Sequence, residues 1–246
     1  MARGRVVIVG AGPGDPELIT VKGLNYLKKA DVVVYDRLVP LELLSKVKSG
    51  AELIYVGKEP GRHIYTQDEI NNLLYVKALE GSLVVRLKGG DPYNFGRGEE
   101  ECIFLLERGV ECIVVPGIPS YVGASVYSGI PLTSRGVSSS FAVITGREAE
   151  GKKRRINIEG IAAVVDTLVV LMGVSSLPDI LVRVSKIVGW NRPAAVVMNA
   201  TTRSQHTIAG DLKVLMNAWF EGRISNPAVI FVGEVVRLRD RLWRFE

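Results

Sequence analysis

Short apolar runs punctuate the first half of the chain at regular intervals. Residues 6–9, 32–35, 53–56, 83–87 and 113–115 are rich in valine, isoleucine and leucine. Runs of this kind suit strands buried on both faces of a parallel sheet. Between them lie helical patterns. Leu18, Val21, Leu24 and Leu27 recur at helical spacing within 17–29, and a short helix is expected near 41–47. Thr66 with Glu69 spells a capping box for a helix reaching about Leu79. Three glutamates, Glu99 to Glu101, open another helix that ends near Arg108. Strand, glycine loop, helix and strand in this order make a βαβ unit with a right-handed crossover.

The pattern then breaks. Residues 128–140 read SGIPLTSRGVSSS, with no periodicity and many small polar residues, which predicts a linker. Beyond it, strands are expected at 141–145, 168–172 and 194–198, with a helix at 177–188. Segments 206–209, 228–232 and 241–245 look like an antiparallel meander. The chain is therefore expected to form two α/β domains, 1–130 and 141–246, joined by 131–140. The first should hold a mostly parallel sheet and the second a mixed one, with a ligand site between them.

Polar chemistry gathers where the expected strands of the first domain end. The four loops are Gly10 to Asp15, Asp36 with Lys58, Gly89 to Asp91, and Gly117 to Ser120. Ligands of open α/β sheets bind at this edge. In LVVRLKGGDPYNFGRGEEE, Gly89 and Gly90 permit close backbone approach, and Pro92 stiffens the exit. The first loop, GAGPGD, tempts a dinucleotide reading with Asp36 on the ribose. Its third glycine comes one residue early, a proline intervenes, and Asp15 would repel a phosphate at a helix start. A neutral or cationic ligand suits such a loop better.

Composition narrows the class. A chain of 246 residues with 47% hydrophobic and 23% charged residues has ample material for packed cores. No apolar run approaches the ~20 residues of a membrane span, and the first strand begins too early to leave room for a signal peptide. Cys102 and Cys112 show neither metal spacing nor a disulfide framework, so two reduced buried thiols in a cytoplasmic protein are expected. The net charge of +5 asks for an acidic partner. Its basic residues are scattered, with no zinc or RNP pattern, which argues against nucleic acid and fits a polyanionic small molecule.

Long blocks along the chain carry a resemblance: VGAGPGDPELITVKGLNYLKKADVVVYDRLV, VGK, VVRLKGGDPYNFGRGEE, VVPGI, SGIPLTSRG, ITGRE, LVVLMG and VGEVVRLRD. Together they resemble the tetrapyrrole methylases, most closely those acting on uroporphyrinogen III. The resemblance implies two α/β domains, a homodimer, and a cleft for S-adenosylmethionine, with S-adenosylhomocysteine as product and no metal. It implies two successive C-methylations of uroporphyrinogen III, an octacarboxylate, to precorrin-2, the branch point towards sirohaem and cobalamin. Alternatives are methylation of a later precorrin or cobalt-precorrin, a dinucleotide-dependent oxidoreductase, and a basic nucleic-acid-binding protein.

By the same resemblance Asp36 is the proton acceptor and Lys58 the donor. Cofactor contacts fall on Pro13, Gly89, Gly90, Asp91, Asn94, Pro119, Ser120, Met172 and Ala200. Four of these positions or their neighbours depart from the family pattern. Asn94 replaces an aliphatic residue, Pro119 a threonine, Ala200 a glycine, and Glu99 a glycine at the helix start. Arg37, Arg86, Arg97 and Arg135 are candidates for the substrate carboxylates, because guanidinium pairs with carboxylate in bidentate fashion.

Overall fold

The computed structural model describes residues 4–57, 65–148 and 155–245. The chain divides into two compact units, Met1–Ser120 and Tyr121–Glu246.

The first unit runs β1 (Arg5–Gly10), α1 (Val21–Leu27), β2 (Val32–Tyr35), β3 (Glu52–Tyr55), α2 (Gln67–Leu79), β4 (Leu83–Lys88), α3 (Gly98–Leu106) and β5 (Glu111–Val115). The strands form one sheet in the order β3-β2-β4-β1-β5, with every pair parallel. Alternation along the strands builds a core on each face. Val6, Ile8, Val34 and Val84 pack with Ile70 and Leu74 of α2 and Leu105 of α3. Val7, Val9, Val33, Val85 and Leu87 pack with Leu27 of α1 and Leu43 of a short 3₁₀ turn, Leu41–Lys46.

This division of faces has a consequence for ligand binding. Connections leaving β1 and β2 pass over one face, and those leaving β3 and β4 pass over the other. β4 lies between β2 and β1, so its loop departs opposite to both neighbours. Such a reversal is where an open α/β sheet leaves room for a ligand.

Local capping explains where helices begin. Glu69 N–H donates to the Thr66 hydroxyl at 3.2 Å and Thr66 N–H to the Glu69 carboxylate at 2.7 Å, which completes the expected capping box of α2. The helix expected over 17–29 is instead two pieces. Asp15 caps a 3₁₀ turn at Pro16–Leu18 by accepting from Glu17 N–H at 2.9 Å. Thr20 then caps α1 by accepting from Gly23 N–H at 3.1 Å. Two caps five residues apart in one apolar stripe stop a single helix from forming.

The second unit follows α4 (Ser120–Ser128) with β6 (Phe141–Thr145), α5 (Ile158–Val164), β7 (Thr167–Leu171), α6 (Leu177–Val188), β8 (Pro193–Met198), β9 (His206–Asp211), α7 (Leu212–Phe220) and β10 (Ala228–Val232). Its sheet order is β6-β7-β10-β8-β9, with β6 and β7 parallel and the other pairs antiparallel. Helices α5, α6 and α7 cover one face. Ala124 of α4 joins Val235 and Val236, from a 3₁₀ run at Glu234–Arg241, on the other.

Three expectations change here. The late segments do not form a meander, because α7 intervenes and β10 inserts between β7 and β8. Residues 241–245 add no strand; Phe245 instead donates its N–H to Tyr127 O at 2.9 Å and packs its ring on Tyr127. The stretch 131–140 is not a tether between domains. The boundary falls before it, Ile130 is fully buried, and Ser139 and Ser140 donate backbone N–H groups to Asp166 at 2.8 and 3.0 Å.

The cysteines give a fourth change. Cys102 on α3 and Cys112 on β5 are paired as a disulfide, with Cα atoms 5.6 Å apart. Packing α3 against the edge strand β5 brings together two residues that sequence spacing alone leaves unconnected.

Candidate functional site

The edge of the first sheet is knitted by glycine. Gly90 donates its N–H to Gly12 O at 2.7 Å, and Gly12 returns a bond to Gly90 O at 3.2 Å. The loops after β1 and β4 therefore close on each other as an isolated antiparallel bridge. The loop after β5 joins them, since a Cβ on Gly117 would lie 2.2 Å from Gly90 O and one on Gly10 2.6 Å from Gly117 Cα. No side chain fits at either position. Gly90 differs: its φ is +69°, and a Cβ there would meet only Ser120 N and Pro119 Cα, at 3.7 and 4.0 Å. The open side of Gly90 is the place where another molecule can approach the main chain.

Asp91 holds this arrangement from within. One carboxylate oxygen accepts from Tyr93 N–H, Asn94 N–H and the Asn94 side-chain amide, at 2.9, 3.0 and 2.7 Å. The other accepts from Gly117 N–H at 3.0 Å. Desolvation, the largest influence, would raise the Asp91 pKa. The Asn94 amide and the Gly117, Tyr93 and Asn94 N–H groups outweigh it and hold the carboxyl below its ordinary value. Asp91 therefore reads as the organiser of the loop, its two oxygens already engaged. Asn94, the departure from the family's aliphatic residue, is its partner.

Pro13 is half-buried between Gly12 and Gly14, both at positive φ. Pro119 and Ser120 follow β5 at the same edge. The structure thus collects Pro13, Gly89, Gly90, Asp91, Asn94, Pro119 and Ser120 in one region of the first unit. Met172 and Ala200 belong to the second unit, after β7 and β8, whose carboxyl ends share an edge. Met172 has φ +53°, and Ala200 sits between Asn199 at +48° and Thr201 at +65°. Left-handed backbone costs about 1–3 kcal/mol per non-glycine residue, less for Asn, and concentrates where ligands are clamped.

Asp36, at the end of β2, meets a buried charge network. Arg86 Nη2 donates to both Asp36 carboxylate oxygens, at 2.7 and 2.9 Å. Arg86 Nε donates to Glu101 Oε1 at 3.1 Å, and Nη1 faces Val34 O and Leu87 O at 3.3 and 3.4 Å. Lys88 Nζ donates to the same Glu101 oxygen at 2.9 Å, and Gln67 adds a bond at 3.2 Å. Burial, the largest influence on Lys88, pushes its pKa down together with the Arg86 charge; Glu101 and Asp36 only partly offset this. Burial would also lower Arg86, but Asp36 and Glu101 outweigh it and raise its pKa.

The Arg86 expectation is corrected by this geometry. Its side chain is 2% exposed and fully engaged by protein acceptors, so it does not face a substrate. Arg97 is exposed, at φ +61°, and forms a bidentate pair with Glu100 at 2.8 and 2.7 Å. Arg37 and Arg135 are exposed. Lys58 lies outside the described residues. Glu101 and Lys88 were missed by the sequence reading. The available signal was Arg86 and Lys88 alternating on one face of a central strand, which demands a buried counter-charge.

The donors available argue against a dinucleotide. In that fold a helix N-terminus after the first loop binds pyrophosphate. Here the Asp15 carboxylate occupies the start of the first turn and Thr20 caps α1. A phosphate would meet a negative charge where it needs N–H groups. A sulfonium-bearing nucleoside without phosphate fits these residues. Among the described residues there is no cluster able to hold a metal ion, and no helix is long and apolar enough to cross a membrane.

Comparison with known proteins follows the same line. The profile of the Tetrapyrrole (Corrin/Porphyrin) Methylases matches residues 5–215. Uroporphyrinogen-III C-methyltransferase of Methanocaldococcus jannaschii is 47% identical over 96% of this chain and 98% of its own length. Siroheme synthase 2 of Yersinia enterocolitica is 46% identical over 98% of this chain, which spans 50% of that relative. Among solved structures, Thermus thermophilus uroporphyrin-III C-methyl transferase complexed with S-adenyl homocysteine superposes with a TM-score of 0.80. It is 41% identical, over 96% of this chain and 100% of that one.

Proposed function

This chain belongs to the tetrapyrrole (corrin/porphyrin) methylases, and we propose that it is an S-adenosylmethionine-dependent C-methyltransferase making two successive transfers to uroporphyrinogen III, with precorrin-2 as product. The observation that carries this is the near full-length likeness to the Methanocaldococcus jannaschii enzyme. The phosphate-repelling first loop and the open Gly90 backbone support the cofactor class. The siroheme synthase relative supports sirohaem as one destination of the product.

S-adenosylmethionine, when bound, supplies an electrophilic methyl group. Pro13, Gly89, Gly90, Pro119, Ser120, Met172 and Ala200 would hold it, with Asp91 and Asn94 shaping the loop. Placement supplies much of the rate in such a transfer, because an electron-rich carbon attacks without covalent help. Asp36 receives the proton that the macrocycle must lose once the new carbon–methyl bond has formed, and Lys58 acts as donor. Arg37, Arg97 and Arg135 bind substrate carboxylates, in keeping with the net charge of +5. The reading includes a homodimer in the cytoplasm. The Cys102–Cys112 pair is uncommon in that compartment outside heat-adapted organisms, so cell fractionation bears directly on this part.

The test is anaerobic incubation of the protein with S-adenosylmethionine and uroporphyrinogen III, followed by oxidation. A dimethylated chlorin-type spectrum is expected. An unmethylated porphyrin spectrum, with methylation of a later precorrin instead, would replace the substrate assignment.

A further inference from the structure

β4 is the central strand of a parallel sheet, yet two of its six residues, Arg86 and Lys88, carry buried charges on one face. Removing an ion from water costs several kcal/mol, and apolar replacements for a buried ion pair are often neutral or stabilising. Stability alone therefore gives no reason to keep this network. Its arrangement does. Glu101 is fully buried, Arg86 nearly so, and Asp36 is 31% exposed. Asp36 is the acidic group of the network that another molecule can reach.

The register explains how the reach is set. Val34 of β2 pairs with Arg86 of β4, so Asp36, two residues on, leaves its strand on the Arg86 side. Glu101 fixes Arg86 Nε, two carbonyls hold Nη1, and Nη2 is left pointing at both Asp36 oxygens. Lys88 balances the second carboxylate by donating to Glu101 Oε1. Glu101 Oε2 has no hydrogen-bond partner among the described residues. All of the donors converge on Oε1, so the orientation of this one side chain sets the Arg86 fork.

We propose that Glu101 is a positioning residue for methyl transfer, acting through Arg86 to hold the Asp36 carboxylate in one direction. It touches neither cofactor nor substrate. The inference rests on the assignment of Asp36 as proton acceptor above. It adds the reason that an acid on α3, far along the chain from Asp36, governs the same step.

The experiment uses the full chain with Glu101→Gln, Asp36→Asn, both together, and Arg86→Lys. Glu101→Gln should lower kcat by about 10²-fold, the scale of a small misplacement at a reacting centre. KM for uroporphyrinogen III and Kd for S-adenosylhomocysteine should stay within about twofold, as expected for an interaction made only in the transition state. The pH profile of kcat should move. The double variant should be no slower than Asp36→Asn, because residues acting as one unit are not additive. A folded Glu101→Gln protein with wild-type kcat and pH profile, or losses that multiply in the double variant, overturns the proposal. Should Glu101→Gln fail to fold, Arg86→Lys carries the same test, since lysine lacks the fork that spans Glu101 and Asp36. If the wild type transfers no methyl group, the functional reading fails on its own. The carboxyl ¹³C resonance of Asp36, compared between wild type and Glu101→Gln, then still decides the positioning claim: a shifted resonance supports it and an unchanged one overturns it.

Discussion

Gly12 and Gly90 exchange two backbone hydrogen bonds, at 2.7 and 3.2 Å, and so join the loops of two neighbouring parallel strands at their carboxyl ends. Parallel strands have no direct turn between them, so this contact is made by residues distant in sequence. Everything assigned to cofactor binding in the first unit is arranged around it.

Gly117 is the residue least able to change at this junction, because an added Cβ would lie 2.2 Å from Gly90 O. Gly117→Ala is expected to destabilise the protein by about 1–3 kcal/mol or more, through forced backbone shifts. S-adenosylhomocysteine affinity should fall with it. Thermal unfolding and calorimetry check this, and a stable variant of normal affinity would contradict the packing.

Asp91→Ala should weaken cofactor binding by more than about tenfold, since hydrogen bonds to a charged acceptor contribute about 1.5–3 kcal/mol each. The cause is loss of loop shape, as the two carboxylate oxygens serve Gly117, Tyr93 and Asn94. Unchanged affinity by calorimetry would count against it.

The same carboxylate predicts a pH response. Its folded pKa lies below the ordinary 3.8, so the unfolded state binds the proton more readily. Its contribution to stability is complete above about pH 4 and is lost as pH falls through the lower folded value. Thermal midpoints measured from pH 5 downwards should drop less steeply in Asp91→Asn than in wild type.

Asp36→Asn should reduce kcat by about 10²–10⁴-fold, the range of general base catalysis, with S-adenosylhomocysteine affinity near normal. Full activity would remove Asp36 as an essential base.

The disulfide is checked chemically. Denatured, unreduced protein should show no titratable thiol, and reduction should lower stability by about 2–3 kcal/mol for so short a loop, whose ends are separated by 10 positions. Two free thiols in the denatured protein would restore the reduced pair expected from the sequence.

The first sheet was legible because its strands are mostly apolar runs between loops, even with Arg86 and Lys88 in β4. The capping box of α2 was equally plain. Helices α4, α5 and α7 were not. SYVGASVYS in α4 is small and β-branched without a clear stripe, and its helicity comes from packing Ala124 onto the second sheet. The site divided in the same way. Gly89 to Asp91 and Asp36 lie at strand ends, where position alone marks them. Glu101 hid within a triplet of glutamates that helix-dipole reasoning already explained. Only the tertiary placement of α3 against β4 separates it from Glu99 and Glu100. Arg86 was read as facing a substrate because sequence gives its charge but not its burial.

Transfer of isotopically labelled methyl groups from S-adenosylmethionine to uroporphyrinogen III, followed by mass spectrometry of the tetrapyrrole, tests the assignment most directly. Two labelled methyl groups per macrocycle are predicted, with a singly methylated species appearing first. Unlabelled uroporphyrinogen at the end of the reaction, with S-adenosylmethionine unconsumed, would contradict it.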